Sequence, residues 1–274
     1  MHLLKRHPIP IVAWFEHSLV LTYALPRESL QPLLPPGLEL DCWGDHAFLA
    51  IAMVQTRRLR PAGFPAAFGK DFFLSGYRIF ARFTTSEGRR LRGLRILRSD
   101  TDSPIMACAG NWLTHYNYQV AKVRTEKTAA RLEVEIATPK HRADLHVIAD
   151  LQTPGLLPSE SPFRQTREAR LFAGPLPFTF DHEPQTNSMI LIEGIREHWK
   201  PQLINLEVRR STFLDSLSDA NPILASAFYV SRIPYRWKRG IRQSINAYEN
   251  IEPSIRAEFE PCSILSGRSA DRAV

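Results

Sequence analysis

Alternation of apolar and polar side chains dominates this chain, and helical spacing is confined to short stretches. Residues 18–25 are a first predicted strand, followed by a helical turn that Pro26 opens, where a proline's missing N–H costs nothing. Residues 38–42, a Trp43-Gly44-Asp45 turn and residues 46–55 predict a hairpin. Across residues 72–85, Phe73, Tyr77, Ile79 and Phe83 share one face, while Arg78 and Arg82 share the other. A Ser86-Glu87-Gly88 turn then leads to a partner strand at 90–99. Ser103 and Pro104 supply a cap and a first helical position, and Ile105, Met106, Ala109, Trp112, Leu113 and Tyr116 follow at helical spacing on one face. Residues 116–124 and 129–137 predict a second hairpin. There Leu132, Val134 and Ile136 alternate with Arg131, Glu133 and Glu135, the mark of a half-exposed sheet. Residues 145–151, 177–181, 188–199 and 203–209 add strands, and 162–172 a second helix. The sum predicts an α+β fold, mainly antiparallel β, forming a curved sheet, sandwich or open barrel with a few peripheral helices. No repeat or linker divides the chain. We therefore expect one domain over residues 1–274, with 10–240 as its core and 266–274 as a mobile tail.

Composition narrows the function without naming it. With 44% apolar residues, disorder of the whole chain is excluded. The net charge of +7 invites a nucleic-acid reading, but only seven of the 35 basic residues are lysines, and acidic residues interleave with the arginines. That bias fits base composition better than a basic face, and the single basic-aromatic heptad PYRWKRG at 234–240 matches no nucleic-acid module. Pro8, Pro10 and Glu16 interrupt the apolar N-terminus, which lacks a cleavage site, and no run of eighteen apolar residues occurs. Cys42, Cys108 and Cys262 are odd in number and widely spaced, with no C-x-x-C pair. The expectation is a cytoplasmic protein with neither nucleic-acid nor membrane partners.

Nucleophile elbows, phosphate loops and metalloprotease strings are absent. Asp181-His182-Glu183 before Pro184 fits a polar turn or, less simply, a metal site; no metal or cofactor is expected. On the strand at 90–99, Arg92 and Arg95 lie on opposite faces, so one must meet apolar surroundings. Glu193 lies between apolar neighbours, so it should either pair with such an arginine or line a polar pocket. GNWLTHYNYQ at 110–119 gathers aromatic and polar groups at a helix–strand junction, which suits either a small-molecule pocket or core packing with a helix cap.

The segments EHSLVLTYALPRESLQPLLPPGLELD, FLSGYRIFARF, LRGLRILRSDTDSP, GNWLTHYNY, FTFDHEPQTNSMILIEG and IPYRWKRG occur in order over residues 10–240. Together they resemble the YqjF-like uncharacterised bacterial family of the acetoacetate decarboxylase-like superfamily. The resemblance implies a strongly curved sheet, close to a barrel or cone, around a central cavity. The superfamily's namesake uses a lysine that forms a Schiff base with a β-keto acid. Its motif laid on residues 110–119 puts Tyr118 and Gln119 at the lysine positions, and neither forms an imine. The family's carboxylate-holding arginine falls near Glu16, and its strand acid near Arg78 or Ile79. The resemblance thus carries over the fold and the cavity, not the catalytic set.

Two functional classes remain. In one, the cavity binds a small anionic or carbonyl molecule without Schiff-base chemistry, with Arg95 countering charge and Tyr116, Asn117 and Tyr77 lining the site together with His115 and Tyr118. In the other, a lyase- or isomerase-type enzyme acts on keto-acid or enol substrates, with His115 or Glu193 as base and Tyr118 as proton donor. Only Lys122, on the face of Tyr118, is placed to substitute for the missing lysine. A homo-oligomer would cover exposed sheet edges.

Overall fold

The computed structural model describes residues 2–197 and 199–245; Cys262 and the expected tail lie outside them. Along the chain run β1 (Ile11–Pro26), α1 (Arg27–Leu30), β2 (Leu38–Leu40), β3 (His46–Pro61), β4 (Lys70–Thr84), β5 (Arg90–Thr101) and α2 (Pro104–Leu113). Next come β6 (Tyr118–Val120), β7 (Lys122–Lys127), β8 (Arg131–Ala137), β9 (Leu145–Asp150) and α3 (Thr166–Phe172). The last part holds β10 (Phe178–Glu183), β11 (Ser188–Arg196), β12 (Gln202–Leu203), β13 (Leu206–Ser211), α4 (Thr212–Asp215), β14 (Ile223–Trp237) and β15 (Ile241–Ser244).

The large sheet curls on itself. Seven strands follow one another as β14-β1-β3-β4-β5-β10-β11, and β11 pairs back to β14 with Gly194 opposite Trp237 and Arg196 opposite Tyr235. Every neighbour in this ring is antiparallel except β5 and β10, which run parallel. A second sheet, β13-β9-β8-β7, packs against the outside of one wall. Leu132, Val134, Ile136, Leu145 and Val147 from that sheet bury against Leu19, Leu21, Leu49, Ile51 and Tyr77 in one apolar cluster. The alternation that predicted a half-exposed sheet is thus realised as a backing layer, polar side out.

Several expectations change. The hairpin over residues 38–55 does not form: β3 already has β1 and β4 on its two sides, so β2 pairs with β4, and Trp43–His46 remains an isolated bridge. The single strand expected at 116–124 is two, because the chain leaves the large sheet at Ala121; β6 pairs with β5 and β7 with β8. In α2 the Ser103 cap is present, its Oγ accepting from the Met106 N–H at 3.2 Å. The inward face, however, is Met106, Ala109, Gly110 and Leu113, while Ile105 and Trp112 are 68% and 62% exposed. The largest omission is β14, which pairs with β1 along nearly its whole length. Its Pro234 falls between the stretch paired to β12 and the stretch paired to β11, where a missing N–H opens no gap in that ladder.

Asp41, directly after β2, is fully buried and accepts from Arg82 Nε and Arg92 Nε, both at 2.6 Å. It joins β4 to β5 at one end of the ring. His17 on β1 is also buried, and neither ring nitrogen has a partner among the described residues. Burial, with the Lys127 ammonium as second cause, lowers its pKa to about 4.

Two outcomes follow from these buried groups. Replacing Asp41 by alanine leaves two arginines competing for no counter-charge, and should cost about 3 kcal/mol, less than a wholly buried pair because both guanidinium groups reach water. Chemical denaturation checks it; a loss below about 1 kcal/mol would show that the clamp is unimportant. For His17, the unfolded chain takes up a proton near pH 6.5 that the native protein refuses until about pH 4. Its contribution to stability is therefore complete above pH 6.5 and lost as pH falls through that window, by roughly 3 kcal/mol in all. The melting temperature of His17→Asn should fall less steeply than wild type between pH 6.5 and 4.5.

Candidate functional site

The ring surrounds a cavity of about 210 Å³, walled by apolar side chains from β1, β3, β4, β5, β14 and α2, with Ala173 to Leu176 after α3 along one side. Gaps of this kind are common enough in curled sheets; its charge is what sets it apart. Among the described residues no Asp, Glu or Lys lines it, whereas Arg78 and Arg196 both do.

Six arginines stand on β4 and β5, and five have a carboxylate. Arg82 and Arg92 share Asp41, Arg90 meets Glu39, Arg95 meets Asp181 and Arg98 meets Asp100. The sixth, Arg78, has no carboxylate and no hydrogen bond among the described residues, and its Nε is buried. Local geometry directs it inward. A bulge in the β4–β5 ladder puts Tyr77 opposite Arg98 but Arg78 opposite Ile96, which itself lines the cavity. Gly76 makes the room: a Cβ there would stand 3.0 Å from Arg78 Nε. Burial lowers the pKa of Arg78, the more so with Arg196 nearby, while the hydroxyls of Tyr235, Tyr118 and Tyr116 act in the other direction. A guanidinium remains charged under such a shift.

Around Arg78 stand the three tyrosines. Tyr118 is seated by α2: the Asn111 side chain accepts from the Tyr118 N–H at 2.8 Å and donates to its carbonyl at 2.9 Å, and the Tyr118 ring lies over Gly110, where a Cβ would come within 2.3 Å. Tyr116 Oη is buried without a partner among the described residues. Burial raises the pKa of both phenols, so each is a proton donor at neutral pH, with the Arg78 charge opposing the shift at Tyr118. Tyr235 Oη accepts from Arg196 Nη2 at 2.9 Å and fits beside Gly194, another position where a Cβ would collide. Arg196 also donates to the Leu176 carbonyl at 2.8 Å and lies over the rings of Trp199 and Tyr235. Its Nε and the Trp199 Nε1 are buried without partners among the described residues.

Of the residues singled out from sequence, Tyr116 and Tyr118 line this cavity; the others are elsewhere. Arg95 does not reach it, because its Nη1 is taken by Asp181 at 3.2 Å. His115 holds the other oxygen of Asp181 through its backbone N–H at 2.9 Å and its Nδ1 at 3.1 Å, which ties the α2–β6 loop to β10 and keeps the imidazole off the wall. Glu193 sits past the buried part of β11 and pairs with Lys238 at 2.8 Å, not with an arginine of β5. Asn117 is exposed, in the left-handed backbone region, and accepts from Gln119. Tyr77 faces the second sheet, donates to the Ala143 carbonyl at 3.2 Å and packs on Phe213. Lys122 is exposed on β7. Asp181 and Glu183, for which a polar turn was the simpler expectation, are strand residues and fully buried, Glu183 accepting from Arg6 Nε and Nη2 at 2.7 and 2.6 Å. Among the described residues no three His, Cys, Asp or Glu side chains come together as a metal site, and no helix is long and apolar enough to cross a membrane.

Known proteins place this architecture. The enduracididine biosynthesis enzyme MppR, in complex with the condensation product of pyruvate and imidazole 4-carboxaldehyde, superposes with a TM-score of 0.60 at 14% identity, over 88% of this chain and 91% of its own. An acetoacetate decarboxylase-like enzyme from Sphingomonas wittichii RW1 gives 0.59 at 14% identity, over 88% and 95%. Acetoacetate decarboxylase from Legionella pneumophila subsp. pneumophila str. Philadelphia 1 gives 0.59 at 13%, over 86% and 88%. At such identities the likeness is one of fold, and it agrees with the curved sheet and cavity expected from the sequence. No curated protein matches the chain. Residues 13–216 match the profile of DUF2071, described as an uncharacterized conserved protein (COG2071), and the chain belongs to that family.

Proposed function

We propose that the cavity binds a small organic acid, with Arg78 as the counter-charge and the hydroxyls of Tyr116 and Tyr118 as hydrogen-bond donors, and that it works without a Schiff base. One observation carries this reading: a guanidinium whose Nε is buried faces a cavity with no carboxylate among the described residues of its wall. Burying an unpaired charge is costly, and an anion accepting from the planar guanidinium fork removes much of that cost. The expected counter-charge at Arg95 is replaced by Arg78, since Arg95 is already neutralised by Asp181. None of the seven lysines is among the lining residues, which supports chemistry other than an imine. MppR, of similar fold, has been described in complex with pyruvate, an acid of the class proposed here.

A second reading, acid–base catalysis on a keto acid or enol, is favoured by one pairing: His7 and Tyr118 line the same cavity. Burial lowers the His7 pKa, leaving a neutral base opposite a protonated phenol. Under that reading His7 takes the role expected of His115 or Glu193.

Thermal-shift titration with pyruvate, acetoacetate and benzoate tests binding. At least one should raise the melting temperature of the wild type, and Arg78→Met should weaken that ligand by about tenfold or more, as expected for loss of a charge-assisted contact. Gly110→Val, which drives a side chain into the Tyr118 ring, should also abolish the shift. Unchanged affinity in Arg78→Met would refute the assignment. Borohydride reduction in the presence of acetoacetate should leave every lysine unmodified by mass spectrometry, and a trapped adduct at any of them would overturn the imine-free reading.

A further inference from the structure

The cavity contains two guanidinium groups, and the organic-acid reading uses only one. Ring order settles their relation. Counting from β4 in either direction, three steps lead to the β11–β14 seam: through β3 and β1 to β14, or through β5 and β10 to β11. Arg78 on β4 and Arg196 on β11 therefore reach into the cavity from opposite walls, with Tyr235 on the seam side bonded to Arg196. Arg196 is fixed in place by the Leu176 carbonyl and by the rings of Trp199 and Tyr235, yet its Nε has no partner among the described residues. Arg196 is close enough to act on the charge of Arg78. Among the described residues no carboxylate in the wall offsets either one.

We propose that the ligand is a dicarboxylate lying across the ring, one carboxylate on Arg78 and the other on Arg196. Resting on the organic-acid reading, this gives the ligand a second charge and a direction. Two opposed cations without counter-ions repel and disfavour the empty site, and a monoanion leaves one of them uncompensated. The walls between them are apolar and aromatic, with Phe15, Phe72 and Phe80 among them, which suits a carbon skeleton joining two charged ends better than a compact inorganic dianion.

Isothermal titration of the full chain with matched pairs tests it: glutarate against butyrate, terephthalate against benzoate, and inorganic phosphate as a compact dianion. We expect the better dicarboxylate to bind at least about tenfold more tightly than its monocarboxylate partner, with phosphate weaker than both. In Arg196→Met the advantage of the second carboxylate should vanish while the monocarboxylate still binds, and Arg196→Lys should restore part of it. Equal binding of mono- and dicarboxylates by wild type overturns the inference and leaves the organic-acid reading standing. Tightest binding of phosphate overturns the dicarboxylate class. Failure of every carboxylate to bind overturns both. The wild-type ligand series decides the matter even where Arg196→Met does not fold.

Discussion

The distribution of negative charge is the constraint on which this fold turns. Asp41, Asp100, Asp181 and Glu183 are fully buried, and each is met by at least one arginine. Every one of these pairs lies outside the cavity wall. A buried carboxylate requires a cation, and the arginines that supply one are held where the strands need joining: Asp41 links β4 with β5, Asp181 links β5, β10 and the α2–β6 loop, and Glu183 fastens the residues preceding β1 to β10. With the carboxylates spent in this way, the two arginines that point inward have no counter-charge among the described residues. The structural ion pairs and the cationic cavity are two results of one allocation.

Rigidity comes from elsewhere. The wall that includes β1, β3 and β4 is backed by the second sheet through a continuous apolar cluster, so the strand presenting Arg78 is packed on its outer face by Tyr77 and its neighbours. Three glycines complete the arrangement by absence of a side chain: Gly76 under Arg78, Gly110 under Tyr118 and Gly194 under Tyr235. A methyl group would collide with the Tyr118 ring at Gly110 and with Tyr235 Oη at Gly194, and would press on the Arg78 guanidinium at Gly76. A site fixed by both backing and seats is preorganised, so a ligand meets groups that need little ordering.

Much of the fold was legible in the sequence, and less of the site. The alternation at 72–99 and 129–137, the Ser103 cap and the Tyr116–Tyr118 junction all follow from local pattern, which local physics determines. The misassignment of the inward arginine does not. Arg78, Arg92 and Arg95 sit in similar alternating strands, and which of them finds a carboxylate depends on partners far along the chain: Asp41 for Arg92, Asp181 for Arg95 and none for Arg78. One signal was available. Asp181 and Glu183 alternate with Phe178 and Phe180 at strand spacing, so the cluster could have been placed within a strand, with carboxylates that demand nearby arginines. Strand β14 escaped because it is apolar on both faces over much of its length and contains Pro234, two features that blur a period of two.

The pairing of β1 with β14, from Ile11 opposite Trp237 to Ala24 opposite Ile223, joins segments near the two ends of the described chain. As the polypeptide is synthesised, β1, β3, β4 and β5 emerge early and can pair by short connections, but one edge of β1 has no partner until residues 223–237 leave the ribosome. Until then an apolar strand edge is open to other chains, and contacts of such high sequence separation form slowly. The seam that completes the cavity thus waits for the last of the seven ring strands, and the open edge of β1 is exposed to misassembly until then.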